Sequence, residues 1–258
     1  MWSIRKYHYE QRYFWANFGL LCIGIGSWLF HMTLKYQMEL ADELPMIYTC
    51  YIAIFCIFEI SNDCTYRPRI TLILWLAAIL FTLTYTEIIS WPWFQHGATI
   101  FLIGIIVFRS LYTINILLNE EKLLCYKSNK NSIASPILIN NSKDSKSWIS
   151  NKKHIKKLIC LLIICAFTYI FAFLLWNIDN LYCNHLIRLR HQFKFLSFLF
   201  QFHAWWHFFT GIGTYGYFIF NLYLRRLLLG YESTKIKWLF HLIPYVAHDH
   251  HYNDHIHY

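Results

Sequence analysis

The sequence predicts an all-α, polytopic transmembrane helical bundle with six long spans. Its 258 residues are 57% hydrophobic and 20% aromatic. Only 14% are charged, against roughly 25% in an ordinary soluble domain. Its apolar runs also recur at the length that crosses a hydrocarbon core as a helix, about 20 residues.

The six runs cover residues 14–33, 43–61, 70–90, 97–118, 157–177 and 201–224. The first begins only after Arg5, Lys6 and Arg12 and has polar residues embedded in it, which reads as a span and not as a secretory signal. Its GIGSW segment holds Gly24 and Gly26, small residues that let neighbouring helices approach. The second opens with Glu43, Leu44 and Pro45, a favourable helix start in which the carboxylate suits the first turn. The third, fourth and fifth are plainer apolar spans, with Arg109 and Asn115 of the fourth expected to be satisfied inside the bundle. The sixth opens QFHAWWHFFTGIG, and its Gly211 and Gly213 are read as helix-approach positions like Gly24 and Gly26. A short seventh run, 238–247, contains His241 and Pro244 and reads as an interfacial segment or a frayed end.

Residues 1–258 form one membrane-embedded domain in this reading, interrupted by a low-complexity segment at 119–156. That segment is rich in Asn, Ser and Lys and is expected to be a solvated cytosolic loop. The tail HDHHYNDHIHY, 248–258, holds five of the 14 histidines and is expected to be unstructured, with opportunistic metal affinity only. The net charge of +9 sits in loops, where it reports membrane orientation and does not imply a nucleic-acid partner. Arg5, Lys6, Arg12, Arg67, Arg69, the loop lysines, Arg225, Arg226, Lys235 and Lys237 fall on one side. Only Lys35, Arg188, Arg190 and Lys194 fall on the other, so both termini are expected in the cytosol. Eight dispersed cysteines include no CxxC pair, and those within spans read as small buried hydrophobes. Dinucleotide, P-loop and HExxH signatures are absent from the sequence.

The spans at the two ends of the chain carry unexpected polar groups. His203 and His207 are four residues apart, so a helix places them one turn apart on one face, where both reach one ion. In a soluble helix such a pair is commonly incidental, but ionisable groups inside a bilayer are costly and face the bundle interior or a polar cavity. The first span leaves the cytosol and ends near His31, whereas the sixth starts from the opposite side near His203. The three histidines therefore share one layer, which Asp42 and Glu43 also enter. Three histidines with an open fourth position form the usual catalytic zinc arrangement. Zinc polarises a carbonyl and acidifies water, chemistry suited to amide or ester hydrolysis.

Asp42 is then the candidate general base and acid, and Ser27, one turn before His31, the candidate donor to the oxyanion. The competing structural readings are a helix-packing hydroxyl for Ser27 and, for Asp42, a helix cap or a carboxylate orienting a histidine. Asp179, in WNIDNLYC, lies on the same side as a structural candidate, while Glu59 lies toward the opposite end.

The segments GIGSWLFHMTLKYQMELADELPMIY, WNIDNLYC and QFHAWWHFFTGIG together resemble the alkaline ceramidases. These are seven-helix integral membrane amidases of the endoplasmic reticulum and Golgi. The likeness covers roughly residues 14–245, apart from much of 119–156. It implies hydrolysis of the ceramide amide to a sphingoid base and a fatty acid, within a lipid bilayer. It further implies Zn2+ on His31, His203 and His207, with Asp42 handling the attacking water and Ser27 aiding carbonyl polarisation. The family's wider likeness to seven-helix adiponectin-type receptors keeps a receptor or scaffold with a structural zinc as the alternative. A lipid hydrolase acting on an ester is a further alternative.

The family usually begins with an acidic, non-cytosolic segment that contributes a calcium site, followed by one more transmembrane helix. This chain starts at MWSIRKYHYEQRYFW, after the place where those elements fall. The expectations are a missing calcium site, an unpaired Cys183 whose family counterpart bonds to that segment, and, as one alternative, an inactive shortened ceramidase.

Overall fold

A computed structural model of the chain describes residues 1–60, 68–88, 92–134, 142–229, 231 and 234–247, with backbone alone at 88, 92–93, 120–134 and 142–151. The described helices are α1 (Trp2–Lys6), α2 (Gln11–Thr33), α3 (Tyr36–Phe58), α4 (Pro68–Leu83), α5 (Pro92–Ala134), α6 (Ser142–Leu181), α7 (Cys183–Gln192) and α8 (Phe202–Leu228). A π turn, Thr84–Ile88, continues α4, and a 3-10 turn, Lys194–Phe200, joins α7 to α8.

Among the described residues, five helices are long and apolar enough to cross a membrane: α2, α3, α4 with its π turn, and the apolar parts of α5 and α6. This differs from the expected six. The sixth run does form a 27-residue helix, α8, about 40 Å long at 1.5 Å per residue. His203, His207, its tryptophans and tyrosines, Asn221, Arg225 and Arg226 dilute its apolar character below that of the other five. It packs against α6, α2 and α3, and most of its second half is buried. The apolar faces of the other spans point outward instead, as with Trp75, Leu80, Phe108 and Phe167, which suits surfaces solvated by lipid.

Three further expectations are corrected. The run 238–247 belongs to an antiparallel hairpin of β1 (Lys235–Leu239) and β2 (Ile243–Ala247), in register from Lys235 opposite Ala247 to Leu239 opposite Ile243. Pro244 is accommodated because a two-stranded ribbon has only edge strands. The segment expected as a solvated loop is helical where described, α5 running on to Ala134 and α6 starting at Ser142. Its Glu, Lys and Leu residues between 120 and 124 are good helix formers. Asn115 is exposed, not satisfied inside the bundle. Arg109 is held by aromatic faces, 5.0 Å from the Phe58 ring centre and 5.2 Å from that of Tyr112. The tail at 248–258 and residues 135–141 lie outside the described residues.

A polar clasp closes the end of the bundle where α2 begins and α3 and α8 end. Arg225 Nε donates to Glu10 Oε1 at 2.9 Å and its Nη1 to the Ile60 carbonyl at 3.3 Å. Arg12 pairs with the same Glu10 and donates to the Glu59 carbonyl at 3.0 Å. Nearby, Tyr9 donates to the Val246 carbonyl at 3.2 Å and Tyr215 to the Pro244 carbonyl at 2.7 Å, pinning the hairpin to the bundle. Arg225→Ala is expected to cost about 2 kcal/mol, the order of a charge-assisted hydrogen bond, because the buried Ile60 carbonyl loses its donor. A lowered melting temperature of the purified protein, with metal content unchanged, is the measurement that checks it.

Candidate metal centre

The opposite end of the bundle is built by a tight turn and a close helix contact. α2 stops at Thr33, and Leu34 takes a left-handed conformation (φ 51°, ψ 30°) with its N–H on the Phe30 carbonyl at 2.7 Å. Only Leu34 and Lys35 separate α2 from α3, so the last turns of one lie beside the first turns of the other. Gly26 is the point of nearest approach, since a Cβ there would stand 2.0 Å from the Ala41 carbonyl oxygen and 3.0 Å from the Asp42 nitrogen. Pro45 lies inside α3 and has no N–H to give to Ala41 four residues back, so this carbonyl faces the glycine without its ordinary helical donor. The contact sets Ser27 beside Asp42.

α3 thus begins at Tyr36, seven residues before the predicted start, and Glu39, not Glu43, is the acid of its first turn. Glu43 instead accepts a hydrogen bond from Tyr85 of the π turn. Gly213 shows the expected close approach, 2.8 Å from its Cβ position to the Tyr169 ring. Gly24 and Gly211 do not, having nothing within 4 Å. Both line a cavity instead.

His203 and His207 lie on the first two turns of α8, and Trp205 Nε1 donates to the Phe198 carbonyl at 3.2 Å, tying the 3-10 turn to that helix. The Trp206 ring centre is 4.3 Å from that of His207 and 5.2 Å from that of His203, which restricts both imidazoles. His207 Nε2 is 3.1 Å from His31 Nε2 and 3.2 Å from His203 Nε2. One nitrogen from each of the three residues falls within 4.8 Å of the others. At most one proton can sit between any two such nitrogens, whereas one cation satisfies all three lone pairs together. Tetrahedral zinc with Zn–N near 2.0–2.1 Å separates its nitrogen ligands by about 3.3 Å. The residues therefore fit a zinc ion in spacing and in donor type.

Ser27 and Asp42 are both buried. Ser27 Oγ is 3.4 Å from both ring nitrogens of His207, and its hydroxyl acts on the Asp42 carboxylate from the neighbouring helix. The Asp42 Oδ1 atom is buried with no hydrogen-bond partner among the described residues. Asp179 acts electrostatically on His203, and its Oδ1 is likewise buried without a hydrogen-bond partner.

A cavity of about 670 Å3 descends from the histidines between α2, α3, α5, α6 and α8. Leu20, Ile23, Met46 and Ile103 give it apolar walls, and Thr214, hydrogen-bonded to Tyr169, lines its inner part. Ser27 lines the cavity, while Asp42 stands behind it. Sequence reasoning missed Trp206 and Arg190 as parts of the site. The position of Trp206 between the two histidines of HAWWH was the available signal for the first. The second offered none, because its place depends on how α7 folds back.

Comparison with known proteins agrees with this architecture. A family model described as Ceramidase matches residues 1–247. Alkaline ceramidase 3 of Mus musculus is 34% identical over 241 residues, 92% of this chain and 75% of the mouse protein. An alkaline ceramidase of Saccharomyces cerevisiae is 26% identical over 247 residues, covering 94% of this chain and 72% of its own length. A putative alkaline ceramidase of Dictyostelium discoideum is 26% identical over 209 residues, 76% of this chain and 59% of its own. With the family model spanning nearly the whole chain, this protein belongs to the ceramidase family.

Proposed function

We propose that the chain hydrolyses the amide bond of ceramide, a membrane lipid, with a zinc ion held by His31, His203 and His207. The observation that carries this reading is the convergence of three imidazole nitrogens, 3.1 and 3.2 Å apart, at the head of an apolar cavity of about 670 Å3. Cavities of roughly 300–1,000 Å3 with few convergent polar groups are the usual form of a small-molecule site. Zinc bound there supplies Lewis acidity, polarising the amide carbonyl and making water a nucleophile near neutral pH.

The chain's own groups do the rest. The cavity holds the alkyl chains and leaves the amide beside the histidines. Asp42 takes the proton of the attacking water and returns it to the leaving nitrogen, which departs as the sphingoid amine. Ser27, on the cavity wall between Asp42 and His207, donates to the oxygen that becomes negative. Asp179 acts on His203 electrostatically, and a carboxylate near a metal-binding histidine helps to hold its ring as a ligand. This reading carries with it a multi-pass place in the endoplasmic reticulum or Golgi membrane.

Asp42→Asn tests the reading against a receptor or scaffold with structural zinc. Turnover of ceramide is expected to fall by about 100-fold or more, the typical contribution of general acid–base catalysis, with zinc content retained. Undiminished turnover in that variant would remove Asp42 from the chemistry. Faster turnover of a glycerolipid ester than of ceramide by the unsubstituted chain would reassign the substrate.

A further inference from the structure

The cavity carries one charged group that the proposed hydrolysis leaves without a task. Arg190, on α7, lines the cavity, as do Gln201 and His203. It is half-buried, and among the described residues no aspartate or glutamate lines the cavity with it. Its Nε donates to the Leu186 carbonyl of its own helix at 3.3 Å, which fixes the direction of the guanidinium. Its two terminal nitrogens have no hydrogen-bond or ion-pair partner among the described residues, and neither has the Gln201 side-chain amide.

The position is at the outer end of the cavity. Gln201 immediately precedes the first residue of α8, and Thr214, which lines the inner part, lies 13 residues further along the helix, about 20 Å at 1.5 Å per residue. A cation at the mouth of an apolar cavity, with a planar fork of unused donors and no carboxylate among the described lining residues, is suited to an anionic headgroup on an alkyl chain. Ceramide and its amine product carry no negative charge. The other product of amide hydrolysis, a fatty acid, is a carboxylate.

We infer that Arg190, aided by Gln201, binds the fatty carboxylate leaving the metal centre and so sets how tightly the enzyme is inhibited by that product. The inference rests on the amide-hydrolase reading for the identity of the anion, while the binding itself needs no turnover. An alkyl phosphate, as from a lipid headgroup, shares the anionic chemistry and is the competing ligand.

The test is calorimetric titration of the purified full chain, zinc-loaded and in maltoside detergent, with decanoate, decyl phosphate and decylamine. Arg190→Gln is expected to weaken decanoate by about tenfold or more, the loss of a charge-assisted bidentate contact. Arg190→Lys should fall between the two, because it keeps the charge and loses the fork. Decylamine binding and zinc content should be the same in all three proteins. Decanoate binding unchanged by Arg190→Gln overturns the inference, as does decyl phosphate binding that exceeds decanoate binding and accounts for the whole Arg190 dependence. Ceramide turnover in the same preparations separates the two levels: a chain without turnover that still binds decanoate through Arg190 refutes the hydrolase reading and leaves the anion site standing.

Discussion

His207→Ala is expected to remove both zinc and ceramide turnover. Its Nε2 is the atom shared by both close pairs of the cluster, 3.1 Å from His31 and 3.2 Å from His203. Deleting it leaves two nitrogens from different helices, too few for the usual catalytic zinc set of three protein ligands. Losing even an outer partner of a zinc ligand typically costs about 10- to 100-fold in affinity or activity, so loss of the ligand itself should exceed that range. Elemental analysis of the purified variant, paired with product release, checks both effects. Full zinc content in this variant would place the ion elsewhere.

Gly26→Val is the second large effect, and it acts through the backbone. The added Cβ would stand 2.0 Å from the Ala41 oxygen and 2.6 Å from its carbon, and neither atom can swing aside as a side chain can. Separating α2 from α3 by the necessary distance should cost about 3 kcal/mol, at the upper end of overpacking penalties. The same shift moves Ser27 away from Asp42 and His31 away from α8. Activity should therefore fall further than the fraction of folded protein. Gly104→Ala is the matched comparison, because a Cβ at Gly104 meets nothing within 4 Å and alanine favours the helix. It is expected to leave the melting temperature unchanged or slightly raised. Equal losses in the two variants would mean that the α2–α3 contact does not set the site.

These two positions show which parts of the molecule were legible in the sequence. The pairing of His203 with His207 follows from the helical repeat, and the approach of His31 to them follows from counting membrane crossings, since alternate spans run in opposite directions. Ser27 and Asp42 come within reach of that layer by the same argument. Local physics limited the rest. Pro45 read as a helix start, yet α3 begins at Tyr36 and carries the proline inside it, where the freed Ala41 carbonyl meets Gly26. Gly24 and Gly26 look alike in GIGSW, but they sit on different faces, one on the cavity and one on the helix contact.

Segments without a strong repeat were the least legible. The hairpin of β1 and β2 depends on anchoring by Tyr9 and Tyr215, from distant parts of the chain. The sixth span was counted by its length and apolar residues, while its polar content, which includes two of the three clustered histidines, sets it apart from the other five. The place of Arg190 in the cavity wall depends on the fold of α7 and the 3-10 turn, which no periodicity announces.

In the proposed mechanism a zinc ion on the three histidines drives ceramide hydrolysis. The most direct measurement is product release from ceramide by the purified 258-residue chain in lipid, with bound zinc quantified in the same sample before and after chelation. One zinc per chain is expected, with release of a sphingoid base and a fatty acid, loss of both metal and turnover on chelation, and recovery of both when zinc is returned. Zinc bound at that stoichiometry without turnover, or turnover that persists after the metal is gone, would contradict that mechanism.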